Sequence, residues 1–130
     1  MLYSKKVMDN FKNPKNLGEL KNPDAVGQVG NPVCGDIMKI YLKIKDDKIK
    51  DISFETLGCG AAIACSSVVT AEAKGKKLNQ ALKINKDIIL KKLGGLPTPK
   101  IHCSMLAIEA LKKAIENYKN EKWKTKNEKL

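Results

Sequence analysis

Two short runs on either side of Asp46-Asp47 do most to decide what this chain can fold into. From Ile37 to Lys45, Met38, Ile40, Leu42 and Ile44 alternate with Lys39, Lys43 and Lys45, a period of two that an extended strand turns into one apolar and one charged face. Tyr41 falls on the charged side and can shield it. Past the Asp46-Asp47 turn, Ile52, Phe54 and Thr56 alternate with Asp51, Ser53 and Glu55, so the two runs read as the arms of an antiparallel hairpin.

The remaining segments read mostly as helix. Ser4 to Phe11 places Val7, Met8 and Phe11 on one face, with Ser4 as N-cap and Pro14 beyond the end. Lys12 to Pro32 is rich in Asn, Gly and Pro and reads as mobile loop with at most one short strand. Ala61 to Lys74 is an alanine-rich helix stopped by Gly75, which puts Gly58-Cys59-Gly60 where strand gives way to helix. Asn85 caps a helix through Leu93, closed by Gly94-Gly95, and Leu96-Pro97-Thr98-Pro99 reads as a rigid extended connector delivering His102 and Cys103. From Ser104 to about Tyr118, Met105, Ile108, Leu111, Ile115 and Tyr118 recur at helical spacing. The class is α+β: a small antiparallel sheet, the hairpin plus a possible third strand, packed against several helices with a long one at the C-terminal end. We expect one domain over 1–130, with an N-terminal helix and loop in 1–32 and a charged, fraying tail in 119–130 that contains Trp123.

Composition narrows the functional classes. At 130 residues the chain suits one core, and 42% hydrophobic residues are enough to form it. No stretch approaches the roughly 20 apolar residues of a membrane span, and Met1 to Asn13 has neither a signal core nor a transit composition, so we expect a cytoplasmic protein without a membrane partner. The formal charge of +11 would permit binding to nucleic acid, but two Phe, three Tyr and one Trp give little for base stacking, and the lysines are spread along the chain. We read a solvated surface and no nucleic-acid partner.

The four cysteines Cys34, Cys59, Cys65 and Cys103 include no C-x-x-C pair, so any metal site must be assembled by the fold. Cys34 and Asp36 lie just before the first hairpin strand and Cys59 just after the second, and a tight hairpin sets the start of one arm beside the end of the other. If the last helix packs on the same face, His102 and Cys103 join them. Three thiols, an imidazole and a carboxylate suit zinc or iron–sulfur iron. Helix N-termini at Cys59 and Cys103 should lower both thiol pKa values, and the glycines around Cys59 should admit close backbone approach to a bound group. Cys65, six residues beyond Cys59 and rotated about 240° from it on a continuous helix, should point away and pack.

Three ordered motifs carry a resemblance: Asn31-Pro32-Val33-Cys34-Gly35-Asp36, Gly58-Cys59-Gly60-Ala61-Ala62-Ile63-Ala64, and Lys100-Ile101-His102-Cys103-Ser104. Together they resemble the IscU/NifU-type iron–sulfur cluster assembly scaffolds over nearly the whole chain. The resemblance implies a scaffold, not a turnover enzyme, that takes sulfur from a cysteine desulfurase, combines it with iron into a [2Fe–2S] cluster and passes the cluster to acceptor apoproteins such as ferredoxin. It implies Cys34, Cys59 and Cys103 as thiolate ligands, Cys103 as persulfide acceptor, His102 and Asp36 as the exchangeable fourth ligand, and zinc in the same group when no cluster is present. Lys100 would modulate ligand exchange through its charge. Members that engage an Hsp70-type chaperone carry Leu-Pro-Pro-Val-Lys before the His-Cys pair; this chain has Leu96-Pro97-Thr98-Pro99-Lys100, so the resemblance does not carry a chaperone partner across. A second departure is Cys65, where Ser or Ala is more familiar.

Three other classes stay open on the residues alone. A cysteine hydrolase would use Cys103 and His102, but adjacent helical residues diverge by about 100°. A purely structural zinc domain is disfavoured by Asp36, since closed zinc sites prefer Cys and His. A basic nucleic-acid module would show salt-dependent binding.

Overall fold

Asp46 and Asp47 both take positive φ, 54° and 59°, the pair of left-handed residues that a type I′ hairpin turn requires. In the computed structural model, which describes residues 3–31 and 36–128, this turn joins strand β2 (Asp36–Lys45) to strand β3 (Lys48–Leu57). Their antiparallel register runs from Lys45 opposite Lys48 to Ile37 opposite Leu57, with one irregularity at Lys43/Ile44. The short strand anticipated before Pro32 is β1 (Ala25–Asn31), which pairs antiparallel with β2 along its whole length and makes the sheet order β1-β2-β3.

The apolar face of the hairpin is the floor of the core. Met38, Ile40, Leu42, Ile52 and Phe54 are each no more than 1% exposed, beneath helix α2 (Gly60–Ala73) and helix α5 (His102–Glu128). Alanine at 107, 110 and 114 lets α5 lie directly on β1, where a Cβ at Gly27 would come within 2.3 Å of the Ala114 nitrogen and 2.4 Å of the Ala110 carbonyl oxygen. Helix α2 is buried on nearly every side, between the sheet, α5, helix α1 (Lys5–Lys12) and helix α4 (Lys86–Leu93). Its small residues permit that crowding. Its polar ones are satisfied: the Ser66 and Thr70 hydroxyls donate back to the Ala62 and Ser66 carbonyls, each at 2.8 Å, and Ser67 donates to Asn10 Oδ1 at 2.7 Å.

The same polar stripe anchors the segment after α1. The Lys15 amide donates to Ser67 Oγ and the Asn16 side chain to Thr70 Oγ1, while Phe54 N–H donates to the Asn16 carbonyl and Gly18 N–H to the Phe54 carbonyl. The free edge of β3 is thereby covered. Residues 19–24 then lead to β1 over the outer side of the sheet, where Lys43 Nζ donates to the Asn22 carbonyl at 2.5 Å. Tyr41, 5% exposed, is more than a shield there: its hydroxyl donates to Glu55 and Lys39 Nζ stands 5.0 Å from its ring.

Helix ends follow the capping residues read from the sequence. Ser4 Oγ accepts from Val7 N–H, Asn85 Oδ1 accepts from Ile88 N–H at 3.0 Å, and Gly94 closes α4 in the left-handed conformation. Four features differ from the sequence reading. A short helix α3 (Leu78–Ala81) occupies a segment that carried no signal beyond Leu78 and Ala81, both buried. The connector is not extended throughout, because Thr98–Lys100 winds into a 3-10 turn once Pro97 has set the entry. Helix α5 begins at His102, two residues early, and continues to Glu128. Met105 is 41% exposed rather than buried, since Cys103 and Ala107 take the inward positions beside it. Among the described residues no helix is long and apolar enough to cross a membrane.

Replacement Gly27→Ala puts a methyl group into helix backbone that has no room to yield. It should cost about 3 kcal/mol, at the upper end for overpacking, read as a lowered urea midpoint with unchanged slope; a loss under about 0.5 kcal/mol would show that α5 does not rest on β1 at this point.

Candidate metal centre

The two-residue turn at one end of the hairpin, together with the register shift at Lys43/Ile44, fixes what meets at the other. Asp36 opens β2, Leu57 closes β3, and Cys59 follows as the N-cap of α2. The last helix enters from the opposite side through the Thr98–Lys100 turn, so His102 and Cys103 occupy its first turn. One donor atom from each of Asp36, His102 and Cys103 lies within 4.8 Å of the others. Cys59 Sγ lies 3.8 Å from Cys103 Sγ, Cys103 Sγ 3.8 Å from His102 Nε2, and His102 Nε2 3.6 Å from Asp36 Oδ2. Four of the five residues singled out in the sequence thus come together. The fifth, Cys34, is outside the described residues.

The imidazole is oriented by the connector. His102 Nδ1–H donates to the Pro99 carbonyl at 2.9 Å, which leaves Nε2 of the neutral ring with its lone pair toward the group. The sequence held no sign of this partner, because it is a main-chain oxygen delivered by the 3-10 turn.

The two thiols are shifted in opposite directions. Burial alone would raise the Cys59 pKa, but the Ala62 N–H, the Cys103 thiol, the Ala61 N–H and the Lys100 ammonium all favour its thiolate, and it ends below the ordinary thiol value. Cys103 goes the other way: fully buried, next to the Cys59 charge and within the field of Asp36, it is pushed up to about 12 despite Lys100. The expectation that both helix N-termini lower their thiols therefore holds for Cys59 and fails for Cys103, where burial and a neighbouring anion outweigh the helix end. The Cys59–Cys103 contact thus favours the proton on the Cys103 sulfur and the negative charge on the Cys59 sulfur. Lys100 is held charged chiefly by Cys59.

Cys65 is fully buried in α2, and burial first, then the Cys103 and Cys59 charges, holds its thiol far above the ordinary range. It packs, as its neighbours Ala64 and Val68 suggest. The glycines around Cys59 also leave space inside the chain: a Cβ at Gly60 would meet the Phe11 ring at 3.1 Å, and one at Gly58 would meet Asp36 Oδ1 at 2.9 Å. They make room for side chains of this chain. Such a set of two sulfurs, one nitrogen and one carboxylate matches the donors that hold zinc or iron.

Comparison with known proteins agrees with that chemistry. The chain is 54% identical over 117 residues to the iron-sulfur cluster assembly scaffold protein IscU 1 of Archaeoglobus fulgidus, covering 90% of this chain and 76% of the relative. It is 47% identical over 126 residues to the scaffold protein IscU of Rickettsia prowazekii, covering 94% and 95%. Among solved structures, a putative iron-sulfur cluster assembly scaffold protein for the SUF system from Fervidobacterium islandicum superposes with a TM-score of 0.74 at 26% identity, covering 87% of this chain and 96% of the other. The sequence model of the NifU-like N-terminal domain matches residues 2–125 and leaves almost nothing of the chain outside it, so the chain belongs to the NifU-like N-terminal domain family.

Proposed function

We propose that this protein is a scaffold on which an iron–sulfur cluster is assembled and from which it is handed on, without turnover of its own. The observation that carries this is the mixed donor set: Cys59, Cys103, His102 and Asp36 gathered at the surface end of the sheet, with the His102 side chain 43% exposed. Sites that retain a cluster are ordinarily closed by four thiolates, whereas a carboxylate is a harder and weaker ligand for such iron. The surroundings favour visits by other proteins. Phe11, Ile37, Leu57 and Met105 are each at least 40% exposed, and each adjoins the site: Ile37 follows Asp36, Leu57 precedes Gly58, Met105 follows His102 by one turn and Phe11 covers Gly60.

In detail, the cargo is a [2Fe–2S] cluster held by Cys34, Cys59 and Cys103 with Asp36 or His102 as the exchangeable fourth ligand. Its sulfur comes from a cysteine desulfurase and its acceptors are apoproteins such as ferredoxin. Zinc takes the same donors when no cluster is present. Cys103 receives the incoming sulfur as a persulfide, which requires the atoms that cover this thiol to draw back, since it has no exposed surface. Lys100 biases the set toward anionic ligands. Anaerobic incubation with iron and sulfide, followed by optical and Mössbauer spectroscopy and transfer to apo-ferredoxin, tests the whole reading; no transferable cluster would end it.

Three outcomes are expected. With the metal chelated away, iodoacetamide should label Cys59 before Cys103 and Cys65, with a pH midpoint below that of a free thiol because its surroundings favour the thiolate. Cys103 should need a pH approaching 12, and Cys65 should label only on unfolding. Mass spectrometry of the peptides reads the order, and Cys103 reacting before Cys59 would reverse the assigned charges. Asp36→Ala should still assemble a cluster when iron is plentiful but release it to apo-ferredoxin more slowly, and equal or faster transfer would reduce Asp36 to a structural residue. Cys65→Ser should leave assembly intact and cost about 1–2 kcal/mol for a hydroxyl placed among apolar side chains; loss of the cluster spectrum in the folded variant would make Cys65 a ligand.

A further inference from the structure

The Asp36 carboxylate occupies the space in which a side chain at residue 58 would stand. Its side chain is only 14% exposed, and a Cβ at Gly58 would lie 2.9 Å from Asp36 Oδ1 and 3.4 Å from Asp36 Cγ. The other close neighbour is the Ala62 Cβ, at 3.3 Å. Gly58 is not among the residues in the left-handed region, so its backbone conformation does not call for glycine; the space does. Any larger residue there must move the carboxylate. That movement is easy for the fold, because the crowded atom is the free end of a rotatable side chain, and consequential for the site, because Asp36 Oδ2 stands 3.6 Å from His102 Nε2.

We infer that Gly58 is a positioning residue for Asp36: by carrying no side chain, it lets the carboxylate lie over the backbone ahead of Cys59 and join Cys59, Cys103 and His102 around a cation. The inference rests on the ligand set proposed above and adds a requirement to it. The geometry of the hard ligand, and with it the ease of release, is set by a residue with no atoms of its own to offer.

The test is a double-mutant cycle read with Zn2+ alone, titrated against a chromophoric chelator, on the parent, Gly58→Ala, Asp36→Ala and the combined variant. Gly58→Ala should weaken Zn2+ binding about tenfold, the lower end for disturbing a ligand's support, and should have no further effect once Asp36 is already alanine. Equal weakening in both backgrounds would mean a general distortion and overturn the inference, as would no weakening in either. An Asp36→Ala protein that binds Zn2+ as the parent does would instead sink the ligand reading, whatever Gly58→Ala does, and the inference with it. If Gly58→Ala does not fold by circular dichroism, the pair Gly58→Ala with Ala62→Gly replaces it, which removes the 3.3 Å neighbour and leaves Asp36 as the atom that must move.

Discussion

Everything at the site depends on the register of one hairpin. Two left-handed aspartates at 46 and 47 close the turn, and beyond a one-residue register shift at Lys43/Ile44 the pairing runs on to Ile37 opposite Leu57. A slip of one residue would turn Met38, Ile40 and Leu42 out of the core and carry Asp36 away from Gly58 in the same movement. Burial of the strand's apolar face therefore enforces the position of a carboxylate at its end, some ten residues from the turn. The Ile37–Leu57 pair, which sits past the covered part of the sheet, is the point where that enforced geometry reaches the surface.

Helix α2 gives up something at its start for the site. An N-cap ordinarily favours Ser, Thr, Asp or Asn, whose oxygen closes a bond to the first turn. Cys59 closes no such cap bond, although the Ala61 and Ala62 N–H groups face its sulfur and favour the charged form. The loss, about 1 kcal/mol by the usual cap scale, is offset by burial along the rest of the helix, where the residues from Ala64 to Thr70 are all buried. The N-terminal segment adds to this through Lys15 and Asn16, whose bonds to Ser67 and Thr70 tie α1, and hence Phe11, against the thiolate end of α2.

The sheet and the meeting of Asp36, Cys59, His102 and Cys103 were legible because both rest on period-two alternation and on turn chemistry, which a sequence displays directly. Cys65 was legible as well, from its angular offset and its small apolar neighbours. Met105 was not, because helical spacing gives a stripe but not its edges; Cys103 and Ala107, small enough to sit against the sheet, moved the buried face by one position. The Pro99 carbonyl that orients His102, the 3-10 turn that delivers it, and the carboxylate filling the space over Gly58 involve main-chain atoms or missing ones, and residue identity carries little of either.

The unequal thiols were beyond sequence for a further reason: the state of each depends on the other. Cys103 has two other acidic groups as neighbours, Cys59 with its sulfur at 3.8 Å and Asp36 within 4.8 Å, and two unit charges about 4 Å apart repel by about 4 kcal/mol at an effective dielectric constant near 20. Burial and the neighbouring Cys59 and Asp36 therefore favour the neutral form of Cys103, with Lys100 opposing them. A cation bound by the proposed ligand set would have to displace that proton. On the proposed ligand set, a metal ion between the sulfurs would turn that repulsion into attraction, so metal binding and Cys103 deprotonation would be linked.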